Sequence, residues 1–129
     1  MGVENLLQKS EDNFKTASWA ESNNFYDAAV SRYYYSLYEK IIYISKKKGF
    51  YTEPPKGQDS HVFIINQFTN NLSSTLPSQD TAKLSSMFRL KKSRAKADYR
   101  EYKINSKNEF NLVFKFFFNS INEVLDNLI

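Results

Sequence analysis

The sequence predicts an all-α protein, an up-and-down helical bundle of about five helices in one domain. Three observations carry this reading. Apolar residues recur at spacings of three and four along most of the chain, as they do on helices with one face inward. Glycine and proline number only three each in 129 residues. That is too few for a sandwich or barrel, which needs a turn about every 8–12 residues. The ends of the periodic segments carry helix start and stop signals. The length suits a single domain over residues 1–129, and a hydrophobic share of 41% supplies its core.

The first helix is expected over about Val3–Asn23, where Leu6, Leu7, Ser10, Phe14 and Ala17 keep helical spacing. Asn23-Asn24 breaks it. The second, about Phe25–Lys48, has Asn23 or Asn24 as cap, because a short side-chain oxygen can accept from the free first-turn N–H groups. Asp27 suits its positive end and Lys46, Lys47 and Lys48 its negative end, and Gly49 stops it. Phe25, Ala28, Ala29, Tyr33, Leu37, Ile41 and Ile44 line one side. Tyr34, Tyr35, Tyr38, Ile42 and Tyr43 spread over much of the rest, which predicts more than one packing partner.

Phe50–Gln58, with Pro54-Pro55 and Gly57, reads as a loop. A third helix follows over about Asp59–Leu72, capped by Asp59 or Ser60, with Val62, Phe63, Ile65 and Phe68 apolar. The fourth runs from about Ser78 to Tyr102, with Leu84, Phe88, Ala95, Tyr99 and Tyr102 along one side. The fifth opens on a capping box, Ser106-Lys107-Asn108-Glu109. It continues through Phe110, Val113, Phe114, Phe117, Ile121, Val124 and Leu128.

Composition excludes several kinds of chemistry. With no cysteine there is no disulfide scaffold, thiolate nucleophile or sulfur-ligated zinc. One histidine cannot build a multi-histidine metal site, and no metal or other cofactor is expected. No glycine-rich Walker or Rossmann loop occurs. Met1–Lys9 lacks the pattern of a signal peptide, and polar residues interrupt Phe110–Leu128, so no membrane span is expected. These readings predict a cytoplasmic protein. The formal net charge is +4, but Lys83–Lys103 alone holds eight cations against Asp98 and Glu101. That local block is what an anion-binding surface requires.

Four constellations could carry function. In Arg94-Ala95-Lys96-Ala97-Asp98-Tyr99, Arg94 and Asp98 lie one turn apart on one face. An Arg oriented this way presents a planar fork suited to phosphate; an ordinary solvated Arg–Asp pair has the same spacing. Arg32, within Ser31-Arg32-Tyr33-Tyr34-Tyr35, either stacks on tyrosines for packing or contacts a ligand. His61 stands in the first turn of a helix, where it either makes a structural hydrogen bond or serves as a base with a partner from elsewhere. The basic block, with Lys91, Lys92 and Lys96 among Phe88, Tyr99 and Tyr102, is similar to the surfaces that hold single strands. A solvated charged face has the same composition.

Ala29-Val30-Ser31-Arg32-Tyr33-Tyr34, then Ser60-His61, then Arg94-Ala95-Lys96-Ala97-Asp98-Tyr99 together resemble the HEPN family. Small members carry Ala-x-Ser-Arg-x-Tyr-Tyr, a Ser-His pair and Arg-x-x-Ala-Asp-Tyr in that order. The similarity covers about Asn24–Tyr102. It implies a helical bundle that dimerises, often a ribonuclease in toxin–antitoxin, phage-defence or CRISPR systems. Small members are often paired with a nucleotidyltransferase-like antitoxin. Catalytic members place a histidine four to six residues after the arginine that matches Arg94. Here those places hold Tyr99, Arg100 and Glu101, so the resemblance implies a binding or atypical member.

Three functions follow as expectations. The first is a HEPN-type nucleic-acid- or nucleotide-binding protein, the toxin-like component of a toxin–antitoxin or defence locus. It would contact RNA phosphate through the fourth helix, using Arg94, Asp98, Tyr99, Arg32, Lys91, Lys92 and Lys96. The second is an atypical metal-independent ribonuclease with Arg94 and His61 as its catalytic pair. The third is a non-enzymatic interaction module using the aromatic second face. A homodimer is expected.

Overall fold

Helix α1 (Glu4–Ser22) folds back antiparallel on helix α2 (Tyr26–Lys48) in a computed structural model that describes residues 2–129. The pairing shows in its hydrogen bonds: Ser18 meets Tyr33, Ser10 donates to the Ser36 carbonyl, and Asn13 donates to Glu39. Small buried residues of α1, Ser10, Ala17 and Ala20, permit this close approach. Phe14 is 38% exposed yet sets its ring edge-on to Tyr33 at 5.5 Å.

The Asn23-Asn24 break ends α1 rather than capping α2. Asn24 has φ 63°, the left-handed region that Asn tolerates. It lets the Phe25 N–H donate to the Ala20 carbonyl at 2.8 Å and the Asn24 N–H to Glu21 at 3.1 Å, a Schellman ending. Phe25 then precedes α2 with no side-chain cap, so the expected asparagine cap gives way to this tighter use of Asn24. Gly49, at φ 84°, ends α2 in the same manner.

Helix α3 (Ser60–Leu72) is capped by Asp59, whose Oδ1 accepts from the Val62 N–H at 3.1 Å. The expected fourth helix is two: α4 (Ser78–Ser85) and α5 (Met87–Tyr99). Between them Ser86 has ψ −10°, well off the helical value. That change of phase turns Leu84, Met87, Leu90 and Arg94 inward and leaves Tyr99 76% exposed. The stripe expected through Ala95 and Tyr99 therefore does not face the core. Arg100 is extended, and the chain after it buries Ile104, whose N–H reaches Asp27 Oδ1 at 3.4 Å.

The last rod comprises α6 (Lys107–Phe110), a π-helical turn (Asn111–Lys115) and α7 (Phe116–Leu128). Ser106 accepts from the Glu109 N–H at 3.1 Å, while Glu109 accepts from Asn105 at 3.2 Å, one residue before the usual capping-box partner. Phe110, Phe114 and Phe118 are spaced by four, and at 3.6 residues per turn each four-residue step overshoots by about 40°. A wider turn takes up the overshoot. All three rings are at most 1% exposed and all three meet Tyr33.

The same turn aims Lys115 at α1. Its Nζ lies 2.7 Å from Glu21 Oε1 and 3.2 Å from the Tyr33 hydroxyl, which itself donates to Glu21 at 2.7 Å. Burial alone raises the Glu21 carboxyl, but the bonds from Lys115 and Tyr33 and the charges of Lys115 and Lys107 outweigh it and hold it below the usual range.

The described residues thus form an all-helical bundle without strands. No helix among them is long and apolar enough to cross a membrane. The second aromatic side of α2 is covered within the chain: α3 and α5 pack on Tyr34, Tyr35 and Tyr38.

Candidate functional site

Arg94 takes a core position, seven residues after Met87 and four after Leu90, and is only 9% exposed. Its guanidinium sits against three rings, 5.5 Å from the centre of Tyr35, 5.6 Å from Tyr34 and 5.8 Å from Tyr99. Asp98 supplies the expected pairing one turn on, but loosely, with 3.6 Å between Nη1 and Oδ2. Asp98 Oδ2 also accepts from the buried Ser31 hydroxyl at 3.3 Å. The Ser31-Arg32 and Arg94–Asp98 segments, 67 residues apart at that bond, therefore form one site.

Arg94 Nε is buried and has no hydrogen-bond partner. A guanidinium offers five N–H donors, and buried donors are almost always satisfied. The Arg94 side chain keeps 11% exposure and one long carboxylate contact, so an oxyanion acceptor would meet its exposed terminal edge and not the enclosed Nε.

His61 enters from the first turn of α3. Its ring stacks on Tyr38 at 4.2 Å and 9°. Its Nδ1 lies 2.8 Å from the Tyr34 hydroxyl. Burial lowers the His61 pKa, and the Arg94 charge lowers it further against a partial offset from Asp59. Burial likewise raises the Tyr34 and Tyr38 phenols, that of Tyr38 to about 12. His61 and Arg94 both lie against the Tyr34 and Tyr35 rings. Two residues 33 positions apart in sequence thus share one aromatic platform.

The remaining cations divide. Lys91 faces the same side as Arg94 and pairs with Asp59 at 3.1 Å, tying the α3 cap to α5. Arg32 is exposed, donates to Asn13 at 3.2 Å and lies 5.7 Å over the outer part of the platform at Tyr35. Lys92 and Lys96 point elsewhere. With Arg89 and Arg100 they line two adjoining open concavities of about 590 and 500 Å³ on the outer side of α5. None of these four forms an ion pair among the described residues. Lys96 rests on the Tyr102 ring at 3.9 Å and Arg89 on Phe117 at 4.5 Å, which fixes both stems by cation–π attraction.

Sequence reasoning groups Arg94, Lys91, Lys92 and Lys96 as one cluster; the structure sets them on two sides of α5. It also adds Ser31, Tyr34, Tyr35, Tyr38 and Asp59 to the site. The signal for Arg94 is its spacing from Met87 and Leu90. No group of three acidic, histidine or cysteine side chains among the described residues is arranged to hold a metal ion. No protein-family model matches the chain. No curated protein matches it significantly.

Proposed function

We propose that the chain is a HEPN-type protein that binds RNA or nucleotide phosphates through the basic side of α5. The observation that carries this reading is the stripe Arg89, Lys92, Lys96 and Arg100, four cations without a carboxylate partner among the described residues, lining adjoining concavities. The stripe runs 11 residue steps from Arg89 to Arg100, all but the last on α5, about 16 Å at the helical rise, a length that accommodates several consecutive phosphates. Fixed cations beside the Phe88 and Tyr102 rings suit a single strand. Arg94, on the inner side of the same helix, adds a largely buried phosphate contact with Asp98 and Tyr99 around it.

The motif resemblance supports a role as the toxin-like component of a cytoplasmic toxin–antitoxin or defence system, acting as a homodimer beside a nucleotidyltransferase-like antitoxin. The exposed Trp19, Phe25 and Leu112 offer apolar surface for such partners. A ribonuclease is the second reading. It is favoured by one observation, the shared platform of Arg94 and His61.

Fluorescence anisotropy with a labelled single-stranded oligoribonucleotide tests the binding reading. The Lys92→Ala/Lys96→Ala double variant is expected to weaken binding to all sequences alike and to lower the magnitude of the salt slope by about 1.4. Unchanged affinity and slope would contradict it. Cleavage retained in His61→Ala would remove His61 from the second reading.

A further inference from the structure

Tyr34 is fully buried, and its hydroxyl has one hydrogen-bond partner among the described residues, His61 Nδ1. Two arrangements satisfy the 2.8 Å contact. In one, the imidazole donates from Nδ1 and the phenol proton is left without an acceptor in a dry environment, which is costly. In the other, the phenol donates to an unprotonated Nδ1 and both groups are satisfied. The second arrangement wins, because the phenol keeps its proton in either case and His61 Nδ1 is the one acceptor it reaches among the described residues. It forces the neutral ring to carry its proton on Nε2. The parallel stack on Tyr38 fixes the plane of the ring, and the bond to Tyr34 fixes which nitrogen faces inward.

The other surroundings agree. From α5, the cations of Arg94 and Lys91 disfavour an imidazolium; from the α3 cap, Asp59 favours one, but Lys91 already pairs with it. From α2 only phenols face the ring: Tyr34, Tyr35 and Tyr38. Nε2 makes no hydrogen bond to another described residue, and the ring is partly exposed.

We propose that Tyr34 locks His61 as the Nε2–H tautomer, so that His61 serves as a hydrogen-bond donor to an oxyanion held by Arg94, not as a proton acceptor. The proposal rests on Arg94 as a phosphate contact. It separates binding from cutting: a ring nitrogen that already carries a proton cannot abstract one from a ribose hydroxyl. Arg94 and His61 then form a two-pronged seat for a phosphate group beside the partly exposed Tyr35 ring, with Tyr34 buried behind it.

Because His61 is the only histidine, its ring nitrogens can be read without assignment in long-range 1H–15N spectra of the full-length labelled chain. At pH 7 the spectrum is expected to show one neutral Nε2–H ring, and titration with inorganic phosphate should shift Nε2 saturably. In Tyr34→Phe the tautomers should mix. A proton on Nδ1, an imidazolium at pH 7, or an Nε2 signal that phosphate leaves unmoved in the wild type would each overturn the proposal, whether or not the variant folds. The arms separate from the broader reading. Salt-sensitive RNA binding with an unmoved His61 sinks the seat alone. A phosphate-responsive Nε2–H ring with RNA affinity untouched by Lys92→Ala/Lys96→Ala upholds the seat and sinks the α5 stripe.

Discussion

Phe114→Ala is expected to destabilise the fold by about 3–5 kcal/mol, the usual range for emptying a buried phenylalanine site. Phe114 is wholly buried, with Phe110 at 6.0 Å, Phe118 at 6.2 Å and Tyr33 at 6.5 Å. Removing it breaks contacts on both sides of the π turn at once. For a chain of this length the loss corresponds to a fall in Tm of about 10–20 °C. Phe116, two residues on, is the control. It is 56% exposed, so Phe116→Ala should stay within about 0.5 kcal/mol of the wild type. Thermal or denaturant unfolding of the two variants reads the register directly. Comparable losses at 114 and 116 would mean that the π turn does not set the phase described here.

Glu21→Gln is expected to cost about 2–3 kcal/mol, below the 3–5 kcal/mol typical of a fully buried pair because both partners retain some contact with water. The side chains of Glu21 and Lys115 are 13% and 18% exposed. The amide keeps the shape of the carboxylate but leaves the Lys115 charge without its counter-charge. The variant also has a pH signature. The Glu21 carboxyl titrates below its ordinary value in the folded chain, so its contribution is complete above the ordinary carboxylate range. It is lost as pH falls through the folded value. The stability gap between wild type and Glu21→Gln should therefore be widest near neutrality and close in acid. Urea unfolding at a series of pH values checks this, and a gap that widens in acid would refute the pairing.

The parts of the fold legible in the sequence are those set locally. Asp59, Gly49 and the Ser106–Glu109 pair mark helix ends through bonds made within a few residues. The π turn leaves no such mark: a spacing of four is ordinary on one face of any helix, and periodicity runs the helix straight on with Val113 and Phe117 inward, whereas the structure exposes Val113 and buries Phe118. The break at Ser86 carries no glycine or proline, and its effect is one of phase: it turns Arg94 inward and Tyr99 out. An arginine in a basic run reads as surface charge, although its spacing from Met87 and Leu90 is that of a core residue. The crowding of tyrosines on α2 signals a second packing partner, which the reading as an interaction module takes to be another protein. That partner is His61 and Arg94 of the same chain, and contacts over such separations leave no local trace. Asp98 to Ser31 is the clearest case, since each looks like a residue of its own helix until the two helices pack.

The division of cations across α5 is the point on which the functional account turns. Lys91 is neutralised by Asp59 and Arg94 is enclosed, so the outer stripe alone must supply the long-range attraction. Four phosphate contacts on a single strand correspond to a slope of about −2.8 for log K against log salt, or roughly a 50-fold loss of affinity between 50 and 200 mM. The decisive measurement is therefore a salt titration of wild-type binding to a single-stranded oligoribonucleotide by anisotropy. A slope of about −2 to −3 is the predicted result, and an affinity that stays flat across that range would contradict phosphate binding by α5.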